Sequence, residues 1–421
     1  MNLETLSPQQ KGKNLGNVQE MNRSSVLRLL LKRSNCSRAE IAKELELKQA
    51  TITNIIGDFL SWGLVEESGL ISGSKGRRSI SLRICQEKYF VIGVRLRRTS
   101  FKVGLFDFSG TNITTDQVTY DKKLGPENVI GLMRKSIREI IENNQDKCII
   151  AIGIAVPGPY YADKGIISTI TESPGWEGIE FKDKVTKDFE MPIIIEHDSN
   201  AGALAEWWLS QNDQLSGTLV YIGAGEGIGA GILHNGVLFR GKMGIAGEIG
   251  HTSINMHGPL CECGNRGCLT NYVSTSFMIK RVCEKRSEYP DTILKEDCTF
   301  YEIVDAIHQN DPLAIDVFNE VMQSFAVGIA NVICTYDPNE IIISDRFSLI
   351  GDCIIEKLLE TVTDKAKKNY FDHVTLKLGS FAKDASYIGA AAVAIDYCME
   401  NTNVFLKNLN NQTNTLSTEQ Y

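Results

Sequence analysis

No apolar run in the chain reaches the roughly 18 residues that a membrane-spanning helix needs. The longest candidate, Ile149 to Val156, stops at Pro157-Gly158 and reads as a buried strand. The N-terminal stretch MNLETLSPQQKGKN has no apolar core. A secretory signal is therefore not expected, the cytoplasm is the expected address, and no membrane partner is expected. The chain has 11 cysteines, an odd number that fits a disulfide framework poorly, and a cytosolic chain keeps its thiols reduced. Its 421 residues are 43% apolar, 23% charged and 8% aromatic. That ordinary balance excludes a wholly disordered, collagen-like or coiled-coil protein, and the length suggests about two or three domains.

Charge is unevenly spread. The net charge is −8, but residues 1–85 hold 13 Lys+Arg against 8 Asp+Glu, a net of +5, and the remainder holds 31 against 44, a net of −13. A small basic segment ahead of a large acidic body suggests two jobs, only the first suited to a polyanion. A merely solvated basic surface is the plainer alternative.

Residues 1–20 are polar and aperiodic and are expected to form a flexible arm. From Ser24 the spacing of Val26, Leu27, Leu30 and Leu31 predicts a helix. Ser37 with Glu40 predicts a capping box, and Ile41, Ala42 and Leu45 line the short helix that follows. Gln49 to Trp62 places Ile52, Ile55, Ile56, Phe59 and Leu60 on one face and stops at Gly63. Leu64-Val65, a polar turn over 69–76 and Ser79 to Leu82 then read as a hairpin. Three helices and a hairpin over residues 21–85 are the parts of a winged helix-turn-helix. The outer face of its third helix offers Gln49, Ala50, Thr51, Thr53, Asn54 and Asp58 to base edges in a major groove. Lys75, Arg77 and Arg78 in the wing suit phosphates or a narrow minor groove. A helical docking module with no nucleic-acid role is the alternative.

From Tyr89 the pattern changes. Strands are predicted at 90–94, 101–106, 113–120 and 149–156 around a helix over 126–143. A second series starts near Thr218, with strands at 219–222 and 229–234, helices from Val273 and Asp311, and a strand at 341–344. Two strand-rich starts, each followed by helices, suggest a duplicated α/β body over 86–400, with lobes at about 86–200 and 201–400. The Asn/Thr-rich residues 401–421 are expected to be a loose tail.

Three constellations carry chemistry. In GHTSINMHGPLCECGNRGC, the thiols Cys261, Cys263 and Cys268 and one imidazole, His251 or His257, can close a tetrahedral zinc site. No open position is implied, so the metal is structural. Glu196-His197-Asp198-Ser199-Asn200 follows a predicted strand and opens a helix, where a carboxylate can meet a cleft ligand; for Asp198 a helix N-cap is the alternative. Glu248 lies three residues before His251. The loop Glu172 to Trp176 can place a polar contact or an aromatic wall, or be a simple turn. The glycine run 223–229 can face phosphate or form a tight hairpin.

These motifs resemble the ROK family of repressors, open reading frames and sugar kinases, from about Asn22 to Ile395. The most specific match is Glu248-Ile-Gly-His251 with Cys261-x-Cys263-Gly264-x-x-Gly267-Cys268; Pro157 to Pro159, His197 to Ala201 and Ile388 to Ala391 also match. The resemblance implies an actin-like, two-lobed (sugar kinase/ATPase) α/β body behind an N-terminal winged helix-turn-helix, with the sugar between the lobes. It assigns zinc to His251, Cys261, Cys263 and Cys268, and sugar contacts to Asp198, Glu248 and His251. His197 and Glu172 fall at positions that are usually asparagine. Departures cluster at the nucleotide elements. Arg95, Arg97 and Arg98 replace the acidic residue and glycines of the phosphate loop, and Ser344-Asp345 replaces a glycine pair. Thr270 stands at a sugar-binding glutamate position. The expectation is a sugar-responsive repressor without kinase activity, a homodimer or tetramer that binds operator DNA and a sugar effector. A residual sugar kinase and a repressor controlled by a partner protein are the alternatives.

Overall fold

The protein is described from a computed structural model that covers residues 15–406 except 34, 73–77, 169, 171, 172, 174, 211–215 and 366–372. Helix α1 (Leu15–Lys32) starts nine residues ahead of Ser24, inside the stretch expected to be an arm. Its first turns expose Val18 and Met21, so no apolar stripe announces them. A tertiary contact holds them instead. The Glu20 carboxylate accepts from the backbone N–H (2.6 Å) and hydroxyl (2.9 Å) of Thr402.

A short strand β1 (Cys36–Ser37) precedes α2 (Arg38–Glu44) and α3 (Gln49–Trp62). The capping box at α2 forms: the Glu40 N–H donates to Ser37 Oγ and the Ser37 N–H to the Glu40 carboxylate. α3 ends at Gly63, whose φ of 65° is left-handed and favours a residue without a Cβ. Strands β2 (Val65–Ser72) and β3 (Arg78–Ile84) pair antiparallel, with β1 on the other edge of β3. This is the expected winged helix, with a third strand that two residues were too short to signal.

The first lobe follows as β4 (Tyr89–Leu96), β5 (Ser100–Asp107), β6 (Asn112–Thr119), α4 (Pro126–Glu142) and β7 (Cys148–Val156). A small hairpin of β8 (Tyr160–Tyr161) and β9 (Ile166–Ile167), then α5 (Phe181–Thr186), β10 (Ile193–His197) and α6 (Asp198–Trp208) complete the run. The sheet order is β10-β7-β4-β5-β6. The second lobe has β11 (Thr218–Ala224), β12 (Ile228–His234), β13 (Val237–Leu238), α7 (Thr275–Lys285), α8 (Phe300–His308), α9 (Pro312–Tyr336), β14 (Glu340–Ser344), α10 (Cys353–Lys365) and β15 (Thr375–Leu378). Its order, β13-β12-β11-β14-β15, repeats the first. In each sheet three antiparallel strands are extended by two parallel strands on the far side of the first. The duplication anticipated from the strand-rich starts is therefore topological.

Two boundaries differ from expectation. The last helix, α11 (Ala385–Glu400), returns to the first lobe and packs on β4, β7 and α6. Its small residues allow this. A Cβ on Gly153 of β7 would lie 1.8 Å from the Ala390 carbonyl oxygen. Residues 401–406 are not loose either, because Phe405 is buried edge-on against Tyr89 (5.0 Å) and Phe108 (5.3 Å). α9 is long and apolar enough to cross a membrane by composition, but Leu313, Val317, Val321, Phe325 and Ile329 sit in the second lobe's core.

The apolar core of the winged helix is not separate from the body. Ile41, Ile52, Ile56 and Phe59 belong to one buried cluster with Leu204, Trp207, Ala391 and Ile395.

Candidate functional site

A cavity of about 570 Å³ lies between the lobes. The C-terminal end of β10 and the start of α6 bring His197 and Asp198 to its wall. Asp198 is the first helical residue and the cap position falls to His197, which makes no side-chain cap. The N-cap alternative for Asp198 is thereby corrected. Its carboxylate stands 3.4 Å from His197 Nε2, and Glu248 Oε1 lies 3.9 Å from the same nitrogen. Glu248 arrives from the second lobe, just before the single 3-10 turn that carries His251. Gly158 makes this convergence possible, since a Cβ there would lie 2.3 Å from the His197 ring. Beneath the wall, Glu196 is buried and accepts from Asn200 Nδ2 (2.9 Å) and Arg240 Nε (2.7 Å), which fixes the strand-to-helix corner. This positioning pair was not anticipated, because Arg240 is far away in sequence. Thr270 lines the same cavity.

The other end of the cleft holds arginines. Arg95 is buried; its Nη2 lies 3.3 Å from Asp345 Oδ2 and 4.0 Å from Asp198 Oδ2, and its Nη1 donates to the Lys383 carbonyl. Burial opposes the Arg95 charge, but Asp345 and then Asp198 outweigh it and raise its pKa. Arg97 also meets Asp345 (3.2 Å), and burial and Arg95 lower its pKa. Arg98 (2.9 Å) and Arg346 (2.7 Å) both pair with Glu226. Asp345 adopts a φ of 62°, a left-handed conformation that costs any residue with a Cβ. The glycine run 223–229 is the tight hairpin, with Ala224 paired to Ile228, although Gly223, Glu226 and Gly227 line the cleft.

His251, Cys261, Cys263 and Cys268 bring one ligand atom each within 4.8 Å of one another. Cys263 and Cys268 sulfurs are 3.6 Å apart, and Cys261 Sγ is 3.7 Å from His251 Nδ1. Zinc–sulfur bonds of about 2.3 Å at a tetrahedral angle require sulfurs roughly 3.8 Å apart, so the donor set fits a four-coordinate ion. Burial and the neighbouring thiols push Cys268 up to about 12, a penalty that a bound cation removes. His257 is exposed and outside the group.

On the winged helix, Gln49, Ala50, Thr53 and Asn54 are exposed on one side of α3 and Thr51 is half-buried. The Thr53 hydroxyl donates to the Gln49 carbonyl. Asp58 is not available to bases, because it pairs with Arg23 of α1 at 2.5 Å. Lys75, Arg77 and Glu172 lie outside the described residues, as does the Arg78 side chain. Trp176 forms no wall; it is buried against Phe181 in the first lobe's core.

A duplicated two-lobed α/β body of actin-like type, with a kinase-type cleft and a winged helix joined in front, is the class these features define. Within that class the chain belongs to the ROK family, whose pattern matches residues 91–397. It is 28% identical over 387 residues to the xylose repressor of Caldicellulosiruptor bescii, covering 90% of this chain and 96% of that protein. It is 27% identical over 385 residues to the DNA-binding transcriptional dual regulator NagC of Escherichia coli K12, covering 90% and 93%. Its fold is similar to a solved ROK family transcriptional regulator, a homolog of the E. coli MLC protein (TM-score 0.79, 24% identity, 94% of this chain and 100% of that one). A ROK family glucokinase from Streptomyces griseus, solved with glucose and AMPPNP, matches 72% of this chain and 99% of its own (TM-score 0.65, 25% identity).

Proposed function

We propose that the protein is a cytoplasmic transcriptional repressor of carbohydrate-utilisation genes whose operator binding responds to a sugar held between the lobes. The observation that carries this reading is the division of the cleft. One end gathers Asp198, Glu248 and His197, groups that hydrogen-bond hydroxyls. The other end is filled by Arg95, Arg97 and Asp345, where phosphates would have to be positioned. Phosphoryl transfer depends on positioned phosphates, so this pocket binds rather than phosphorylates. The names of the full-length relatives as repressors support the same choice.

The winged helix reads DNA through Gln49, Ala50, Thr51, Thr53 and Asn54, with Lys75, Arg77 and Arg78 on the backbone or minor groove. Glu172 joins the pocket residues. Two such modules in a homodimer or tetramer meet two operator half-sites. His251, Cys261, Cys263 and Cys268 would hold a structural zinc, which would supply rigidity to the loop that carries His251, three residues after Glu248.

The test is a mobility shift with the DNA upstream of the protein's own gene, with and without a panel of monosaccharides. A specific shift altered by one sugar is the expected result. A specific shift that no sugar alters rejects the sugar effector, and no shift at all rejects the repressor.

A further inference from the structure

The helix that opens in the pocket ends under the DNA-binding unit. α6 starts with Asp198 and finishes with Trp207 and Trp208, about 15 Å away at 1.5 Å per residue. Every residue after Asp198 is buried. Its backbone is clamped on α11, where a Cβ on Gly389 would lie 2.2 Å from the Ala201 carbonyl oxygen. At its far end the Arg28 guanidinium of α1 lies 5.1 Å over the Trp208 ring and the Lys32 ammonium 5.5 Å over the Trp207 ring. Arg28 also pairs with Asp396 (2.9 Å) and Glu400 (2.8 Å) on α11. Five residues before Arg28, Arg23 of α1 pairs with Asp58 and covers Trp62, both on α3. α1 thus grips the base-reading helix with one arginine and the pocket helix with the next two cations.

We infer that α6 is the rod through which pocket occupancy reaches the DNA-binding unit, with Arg28 and Lys32 of α1 reading the positions of Trp208 and Trp207. The inference rests on the reading that a sugar at Asp198 modulates operator binding. A close-packed interior cannot absorb a displacement at one end of a buried helix; it passes the displacement to whatever borders the other end. Here that border is two tryptophan faces under two cations, and the apolar cluster around them runs unbroken from α3 to α11. A ligand that favours one position of α6 then favours one setting of α1 and, through Arg23, of α3.

The experiment uses the full chain with D-xylose, D-glucose and N-acetylglucosamine as probes. Calorimetry gives sugar affinity, and mobility shifts with and without sugar give the factor by which sugar changes operator affinity. The first variant combines Arg28→Met with Asp396→Asn, so that no buried charge loses its partner; the second is Lys32→Met. Each is expected to keep sugar affinity within about twofold of the parent while the response factor falls at least about fivefold, since coupling and binding are separate quantities. Folded variants whose response factor equals the parent's overturn the inference. A second readout needs no operator: with Trp62→Phe and Trp176→Phe, the remaining fluorescence comes from Trp207 and Trp208 and is expected to shift with the sugar's binding curve. Sugar that binds by calorimetry without moving that emission overturns the rod and leaves the sugar reading standing. If no sugar of the panel binds, or operator affinity of the parent ignores a bound sugar, the sugar reading itself fails and the rod fails with it.

Discussion

Asp345 anchors the arginine end of the cleft. It sits at a position where the resemblance leads one to expect glycine, keeps a left-handed backbone, and receives both Arg95 and Arg97. Strain at that backbone is offset by charge: removing the carboxylate leaves a buried guanidinium short of its strongest partner. Asp345→Ala should therefore lower unfolding free energy by about 3 kcal/mol or more in urea titrations. Asp345→Gly should lower it by about 1 kcal/mol less, because glycine relieves the positive φ. Equal stability of the two would remove strain from this account. At the metal group, Cys263→Ser should reduce bound zinc and thermal stability together, measured by metal analysis and calorimetry. Full occupancy in that variant would reject Cys263 as a ligand. Both residues were visible in the sequence as motif positions. What stayed hidden was the partner of Asp345, because the Arg95–Asp345 pair joins positions 250 apart.

Among the elements, the winged helix was the most legible. Its capping box, the apolar face of α3 and Gly63 are all local signals, and local hydrogen bonds decide them. The start of α1 was illegible for the complementary reason: Thr402 supplies its anchor. The wing gives an electrostatic prediction. Arg77→Ala with Arg78→Ala should weaken operator binding at all sequences and flatten the slope of log K against log salt by about 2. An unchanged slope would take the wing out of the interface. The joint between α1 and α11 gives a pH prediction. Burial raises the Asp396 carboxyl to about 6, against the pull of Arg28 and Arg240 and with the push of Glu400. Between roughly pH 4 and 6 the folded chain then holds a proton that the unfolded chain has released, so this group makes stability fall as pH rises through that window. Asp396→Asn should flatten that part of the stability–pH curve in urea unfolding. A curve of unchanged slope would mean that Asp396 does not titrate there.

For the whole molecule, the two sheets share one strand order, and the cleft lies where the lobes face each other. The pocket draws His197 and Asp198 from one lobe and Glu248 from the other, so its wall is complete only where the two lobes meet. The last helix crosses back to the first lobe and packs beside α6, which makes the joint with the N-terminal unit part of the first lobe's core. Charge asymmetry, +5 ahead of −13, marks the same division from the sequence side.

Local sequence signals sufficed for the three helices and hairpin of the N-terminal unit, the duplicated strand series and the two residue sets at the Cys/His loop and at the Asp198–Glu248 end of the cleft. Each is written in short spacings: helical periodicity, a cap, Cys-x-Cys, a strand followed by His-Asp-Ser-Asn. Tertiary structure alone decided the return of α11, the burial of Phe405, the Glu196–Arg240 support, the Arg95–Asp345 pairing and the seat of α1 on Trp207 and Trp208. Those are contacts between residues far apart along the chain. Chain entropy opposes them equally at many alternative pairings, and only the packing of the whole core selects one.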